Sequence, residues 1–244
     1  MTALLRSELL KLRTTKTALG LIVGMVGLIV LFTVLGALLP KESVLVERKN
    51  EFEVLANGSI ASAFAAILGL MSMTAEFRHG TIRPTMLAAP RRVRVLVAKL
   101  VATTAAGAVL GLLGIALSYA IGRICLDARG IPSNVTSSDV RLMIVGSVAV
   151  SALWGAFGVG LGAVIRNQAG ALVGTLMWVL LAESILFALV PSVGRFLPAT
   201  AANVLTQIEV DHQLPVVAGV LVFCAYVAVA AVAGAFVTTR RDLA

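Results

Sequence analysis

The chain has 244 residues, 59% of them hydrophobic and only 13% charged, with a formal net charge of +8. A soluble domain is about one-quarter charged, because its surface has to be covered by groups that water solvates. So small a supply of charge excludes an ordinary soluble fold and points to an all-α polytopic membrane protein. The positive balance does not indicate a nucleic-acid partner, since the Lys and Arg residues sit at the ends of apolar runs and no basic stripe interleaved with aromatics is present.

In chain order, residues 1–17 (MTALLRSELLKLRTTKT) are too polar to cross a bilayer. Leu5, Leu9 and Leu12 follow i, i+4, i+7 with Leu4 beside them, while Arg6, Lys11, Arg13 and Lys16 mostly lie elsewhere on the wheel. That pattern predicts an amphipathic helix in the cytoplasmic interface, its basic side chains near anionic headgroups. A plain orientation-setting N-terminus is the alternative. A transmembrane helix needs about 20 apolar residues. Six stretches qualify or nearly so, at 18–39, 58–75, 100–121, 142–165, 169–190 and 216–237, making residues 18–239 one six-helix domain ahead of a cytoplasmic tail at 240–244. Pro40 and Pro191 follow the first and fifth spans and Pro215 precedes the sixth. Asn57, Asp139 and Asn167 fit N-caps. The first apolar run is too long for a signal peptide and lacks a small-x-small cleavage site, so it is expected to be retained. Cys125 and Cys224 form no CxxC motif and fit apolar packing positions.

The connections alternate in charge. Both termini, the second connection and the fourth together hold 13 Lys and Arg against three acids, whereas the other connections hold seven against eight. Positive charge resists translocation, which puts both termini and the 76–99 connection in the cytoplasm, with the plasma membrane as the expected location.

Topology explains the sign of the 76–99 connection but not its other residues. Gly80 ends the helix descending from the second span, and Thr81 can cap a new short helix that tolerates Pro84 in its first turn. Ile82, Met86 and Leu87 then share a face, Pro90 stops that helix or opens the next, and Arg91, Arg92 and Arg94 lead into the third span. A short helix with an apolar face and basic flanks, fixed to two spans, suits docking onto another protein. A solvated loop with topogenic charges fits the composition equally well.

The sequence Glu76-Phe77-Arg78-His79-Gly80-Thr81-Ile82-Arg83, followed by Pro90-Arg91-Arg92 and Lys99, resembles the first cytoplasmic loop of type-2 ABC exporter permeases. The N-terminal RSELLKLR, the six spans, the length and the closing Arg240-Arg241-Asp242-Leu243 are similar to that family too. The resemblance covers essentially the whole chain. It implies that residues 1–17 form the family's elbow helix and that the loop is a coupling helix docking in a groove of an ATPase subunit. Glu76 and Arg78 then sit at the membrane boundary. Gly80, Thr81, Ile82, Arg83, Met86, Leu87, Pro90 and Arg91 carry the contact. It implies a homodimer, or a heterodimer with a paralogous permease, paired with ATP-binding subunits. The substrate expected of such an exporter is amphiphilic: a lipid, peptide, drug or glycan carrier.

No P-loop, HExxH or GxSxG occurs, and His79 and His212 fall on opposite predicted sides. The chain is therefore not expected to be an enzyme or to hold a cofactor or metal. ATP and Mg would belong to the partner ATPase. Glu183 is the one charged residue well inside a predicted span. An ionised carboxylate there costs about 2.5–3.5 kcal/mol on insertion scales, which favours an interior or wet position. It is a candidate for lining a translocation path, the alternative being a protonated or internally bonded carboxyl. GxxxG pairs at Gly20/Gly24, Gly107/Gly111, Gly158/Gly162 and Gly170/Gly174 fit ordinary helix packing. Between Pro191 and Leu214, Val204, Leu205 and Ile208 suggest a short amphipathic helix after Thr200. The resemblance makes it a cap on the outer pathway; an ordinary loop is the alternative. A non-transporting membrane anchor or immunity protein stands as the second functional reading.

Overall fold

A computed structural model describes residues 2–81, 92–165, 167–206 and 212–240, and among these there is helix and no strand. Ile82, Arg83, Met86, Leu87, Pro90 and Arg91 of the expected coupling segment lie outside the described residues, as does Ile208. The helices are α1 (Thr2–Thr14), α2 (Lys16–Leu38), α3 (Glu42–Leu45), α4 (Arg48–Leu55), α5 (Ala61–Arg78), α6 (Arg92–Ala128), α7 (Ser137–Val164), α8 (Gln168–Met177), α9 (Glu183–Leu189), α10 (Pro191–Gly194), α11 (Pro198–Asn203) and α12 (Val216–Arg240). A 3₁₀ turn, Ala56–Ile60, joins α4 to α5, and a π-turn, Trp178–Ala182, joins α8 to α9.

Among the described residues, six helical stretches are long and apolar enough to cross a membrane: Lys16–Leu38, Arg48–Arg78, Val93–Ala128, Ser137–Val164, Gln168–Leu189 and Val216–Thr239. Each contains most or all of one predicted span. The second and third run well beyond their apolar cores, because helix propagation needs satisfied backbone rather than apolar side chains and Arg, Lys and Glu are good helix formers. Two predicted caps are corrected. Thr136, not Asp139, is the N-cap of α7, and Asp139 is the N3 partner of a reciprocal capping box. Asn57 lies within the 3₁₀ turn and its amide donates to the Val54 carbonyl at 3.2 Å, because the backbone continues helically through it and no helix starts there. Asn167 caps α8 as expected, accepting from the Gly170 N–H at 3.0 Å.

The α7 helix is the axis of the bundle. Of its apolar stretch 61% is buried within the protein, against 6% for Gln168–Leu189, which lies along the outside. Helices α5 and α6 reach α7 through glycine seams. A Cβ on Gly158 would strike the Ala66 carbonyl, and one on Gly111 the Ser147 carbonyl, so backbones touch where side chains would hold them apart. Gly20 and Gly174 face open space and pack nothing. Trp154 and Phe157 of α7 meet Phe223 of α12 with ring centroids 5.1 and 5.9 Å apart. Large apolar side chains such as Leu19, Val23, Val217 and Val232 lie 63–71% exposed around the outside, the pattern of a surface that hydrocarbon covers.

The packing gives the bundle two distinct ends. Leu4, Met73, Val95, Leu96 and Ala235 cluster at one, so both termini and the approaches to the 82–91 segment share it. Ala37, Leu45, Leu55, Leu126 and Met143 cluster at the other.

Candidate functional site

Glu76 sits in the last turn of α5 and Lys99 in the second turn of α6, on either side of the 82–91 segment. Glu8 lies midway along α1, on the stripe that also carries Leu4 and Leu12 at i−4 and i+4. Leu4 packs in the apolar cluster with Met73 and Val95, and this turns Glu8 inward. The three charged groups meet in the interior. Lys99 is 1% exposed and is among the largest fully buried side chains.

An ammonium has three N–H donors and no acceptor. The Lys99 ammonium donates to Glu8 Oε2 at 2.7 Å, to Glu76 Oε1 at 2.7 Å and to the Ser72 carbonyl at 3.0 Å. Lys11, half-exposed one turn further along α1, donates to Glu8 Oε1 and to Glu76 Oε1, both at 2.8 Å. Two carboxylates thus balance two ammonium groups, which makes burial of the set tolerable. Burial pushes the Lys11 pKa down, but hydrogen bonds and attraction from Glu76 and Glu8 outweigh it and hold that pKa above its ordinary 10.5. Glu76 Oε1 serves both ammonium groups, while Glu76 Oε2 is buried with no hydrogen-bond partner among the described residues.

A cavity of about 320 Å³ lies between α5, α7 and the fifth span, walled by Trp154, Phe157 and Leu176. A second, of about 440 Å³, opens beside the ion network between α1, the start of α2 and the end of α5. Leu12, Leu21, Leu68 and Met71 give the second apolar walls, and Glu8, Lys11, Glu76 and His79 give its polar end.

The other sequence-predicted residues fall as follows. The Arg78 guanidinium lies 3.4 Å from Gln168 Oε1, joining the end of α5 to the start of α8. Gly80 has φ +67°, the left-handed conformation that ends a helix and that glycine adopts without strain. Thr81 is exposed beside it. Glu183 is 1% exposed at the exit of the π-turn, and its Oε2 accepts from the Ala199 N–H of α11 at 2.7 Å. It therefore ties the fifth span to the connection that follows, while its neighbour Ser184 lines the 320 Å³ cavity.

Sequence reasoning placed Glu76 in the site and Lys99 at the mouth of the third span, but it did not foresee their union with Glu8. A carboxylate interrupting the leucine stripe of α1 was the available signal. No family model matches the chain, and no curated protein matches it either.

Proposed function

We propose that this chain is the transmembrane permease subunit of an ATP-binding-cassette exporter of the type-2 kind, driven by a separate ATPase that binds ATP and Mg. Two such subunits, identical or paralogous, pair in the plasma membrane and move an amphiphilic substrate: a lipid, peptide, drug or glycan carrier. Both termini and the 76–99 connection face the cytoplasm. In this reading α1 is an interfacial elbow helix, and 80–90 is a coupling helix that the closing ATPase pushes.

The observation that carries the reading is the buried Lys99 network. It ties α1, the end of α5 and the start of α6 into one unit on both flanks of 82–91. A force applied between α5 and α6 is then shared by three helices. Without the network, α1 is joined to α5 and α6 through the apolar packing around Leu4. Buried charge of this kind is weak evidence for stability, since an apolar replacement packs as well or better. Its presence favours a mechanical role.

The test is co-purification from gently solubilised native membranes. Replacing both Arg78 and Arg83 with Glu is expected to remove a P-loop ATPase chain that accompanies the unaltered protein. Unchanged ATPase binding together with unchanged ATP-dependent transport would overturn the coupling role.

A further inference from the structure

The fifth span is built unlike the other five. Ala171 and Glu183 are the only buried residues along Gln168–Leu189, and the π-turn Trp178–Ala182 divides the span into α8 and α9. Across that turn the Glu183 N–H donates to the Trp178 carbonyl five residues back, where an α-helix would use the carbonyl four back. A π-turn is wider than a turn of α-helix, and sharp bends in long helices concentrate at such places. No other described helix contains one.

The two halves are anchored differently. In α9, Glu183 Oε2 accepts from the Ala199 N–H of α11 at 2.7 Å. Phe187 lies so close to α10 that a Cβ on Gly194 would strike its backbone. A Cβ on Gly219 of α12 would meet the Ala201 carbonyl of α11 at 2.9 Å. Close contacts thus run from α9 through α10 and α11 to α12. In α8, by contrast, Ala171 is the one buried residue and Gly174 faces open space. At the foot of α8, Gln168 Oε1 lies 3.4 Å from the exposed Arg78 guanidinium, beyond the usual range of a strong hydrogen bond.

The 320 Å³ cavity lies beside this loosely held half. Leu172 and Leu176 of α8 line it together with Leu70 of α5 and Leu161 of α7, and Val179 brings in the π-turn. Val173 and Met177 of α8 are exposed on the outside of the protein. Little buried contact has to break for α8 to move, and elements of that kind are the ones that open first.

We propose that α8 is a hinged strap, which swings about Trp178–Ala182 against the anchored α9 and opens the cavity sideways to the surface of the bundle. Its ten residues span about 15 Å, so a swing of about 20°, the size of a sharp kink, carries its foot about 5 Å. The hinge requires neither an ATPase nor a particular orientation in the membrane.

Spin-label distances in lipid nanodiscs test it, in a background carrying Cys125→Ala and Cys224→Ala. Excess unlabelled protein ensures that only pairs within one chain are read. One label is placed by Val109→Cys, an exposed position on α6. The other is placed by Ala169→Cys at the foot of α8 or by Leu189→Cys at the end of α9, both exposed. The distances to residue 169 should spread over about 5 Å more than those to residue 189. Leu161→Trp, which fills the cavity beside α8 and leaves the anchors of α9 in place, should shift the distances to residue 169 to the long end of their range and leave those to residue 189 unmoved. Equal spreads, a broader spread at residue 189, or distances to residue 169 that Leu161→Trp leaves in place would each overturn the hinge. Should Leu161→Trp fail to fold, the two spreads without it decide alone. None of these outcomes bears on the ATPase pull-down, so the two readings fail separately.

Discussion

Two clusters of buried charge, one towards each end of the bundle, are built in opposite styles. At the end away from the termini, Glu51 is fully buried, and both its oxygens are satisfied, by Arg123 at 2.9 Å, Ser133 at 3.1 Å and the Asn134 N–H at 2.8 Å. Asp139 takes two bonds from Arg48 and others from the Thr136 backbone and hydroxyl. Arg129 closes the end of α2 by donating to the carbonyls of Ala37 and Pro40 at 2.6 and 3.0 Å. Much of this bonding is to backbone, so it fixes loops in place. At the termini-bearing end, four side chains bond mainly to one another across three helices, one oxygen is left open, and a cavity adjoins them. A saturated network suits a fixed cap; an unsaturated one joining separate helices suits a part that moves or binds.

The largest expected effect comes from breaking the open network at its centre. Lys99→Met removes the shared cation and leaves Glu8 and Glu76 buried, with only Lys11 between them. A loss of about 3–5 kcal/mol is expected, measured by denaturant unfolding in detergent. The combined variant Glu8→Leu, Glu76→Gln, Lys99→Met should recover most of that loss, because the one charge left, the Lys11 ammonium, is half-exposed and reaches water. On the proposed function, loss of ATPase co-purification by the same variant would assign the charges to mechanics and not stability. Were the combined variant as unstable as Lys99→Met, the network would be a structural staple like that of the far end.

Glu51→Ala is the matching change at the far end. It strips the acceptor from three donors, but Arg123 keeps Asp127 and reaches solvent. About 1.5–3 kcal/mol is expected in the same assay, with no change in the ATPase co-purification that the proposed function expects. A smaller but sharper measure is the coupling between Glu8 and Lys99, residues 91 apart in sequence. A double-mutant cycle should give an interaction within about 0.5–3 kcal/mol. A zero value would mean that α1 does not dock where Glu8 meets Lys99.

The architecture was legible in the sequence because it rests on apolar run length and on proline and glycine at span ends, which are local signals. Gly80 was placed correctly for the same reason. The site was legible only in part. Glu76 stood out as an acid at the edge of a basic connection, yet its partners come from positions 8, 11 and 99, and no local pattern joins those. Glu8 broke the leucine stripe of α1, but on a surface helix an acid in that place is indistinguishable from a solvated one until α1 is packed. Thr136 was missed as a cap because Asp139, three residues on, carries the more conspicuous cap chemistry; in a capping box both residues have it.

The smallest effect separates the two ends by chemistry alone. Lys11 is half-exposed, so Lys11→Met should cost at most about 1 kcal/mol at neutral pH. Its pKa is raised in the folded protein, first against the downward push of burial and then by the hydrogen bonds and charges of Glu76 and Glu8. A group whose folded pKa exceeds its unfolded value contributes fully below the unfolded one, here about 10.5, and that contribution is lost as pH rises through the folded pKa. The stability gap between the unaltered protein and Lys11→Met should therefore be flat up to about pH 10.5 and close above it. The far end is held by arginine, a side chain that keeps its charge in alkali, so the cost of Glu51→Ala should not close over the same range. A Lys11 gap that persisted in alkali would assign its contribution to the packing of its alkyl stem on α1 and α5, and the termini-bearing network would then hold one effective cation against two carboxylates.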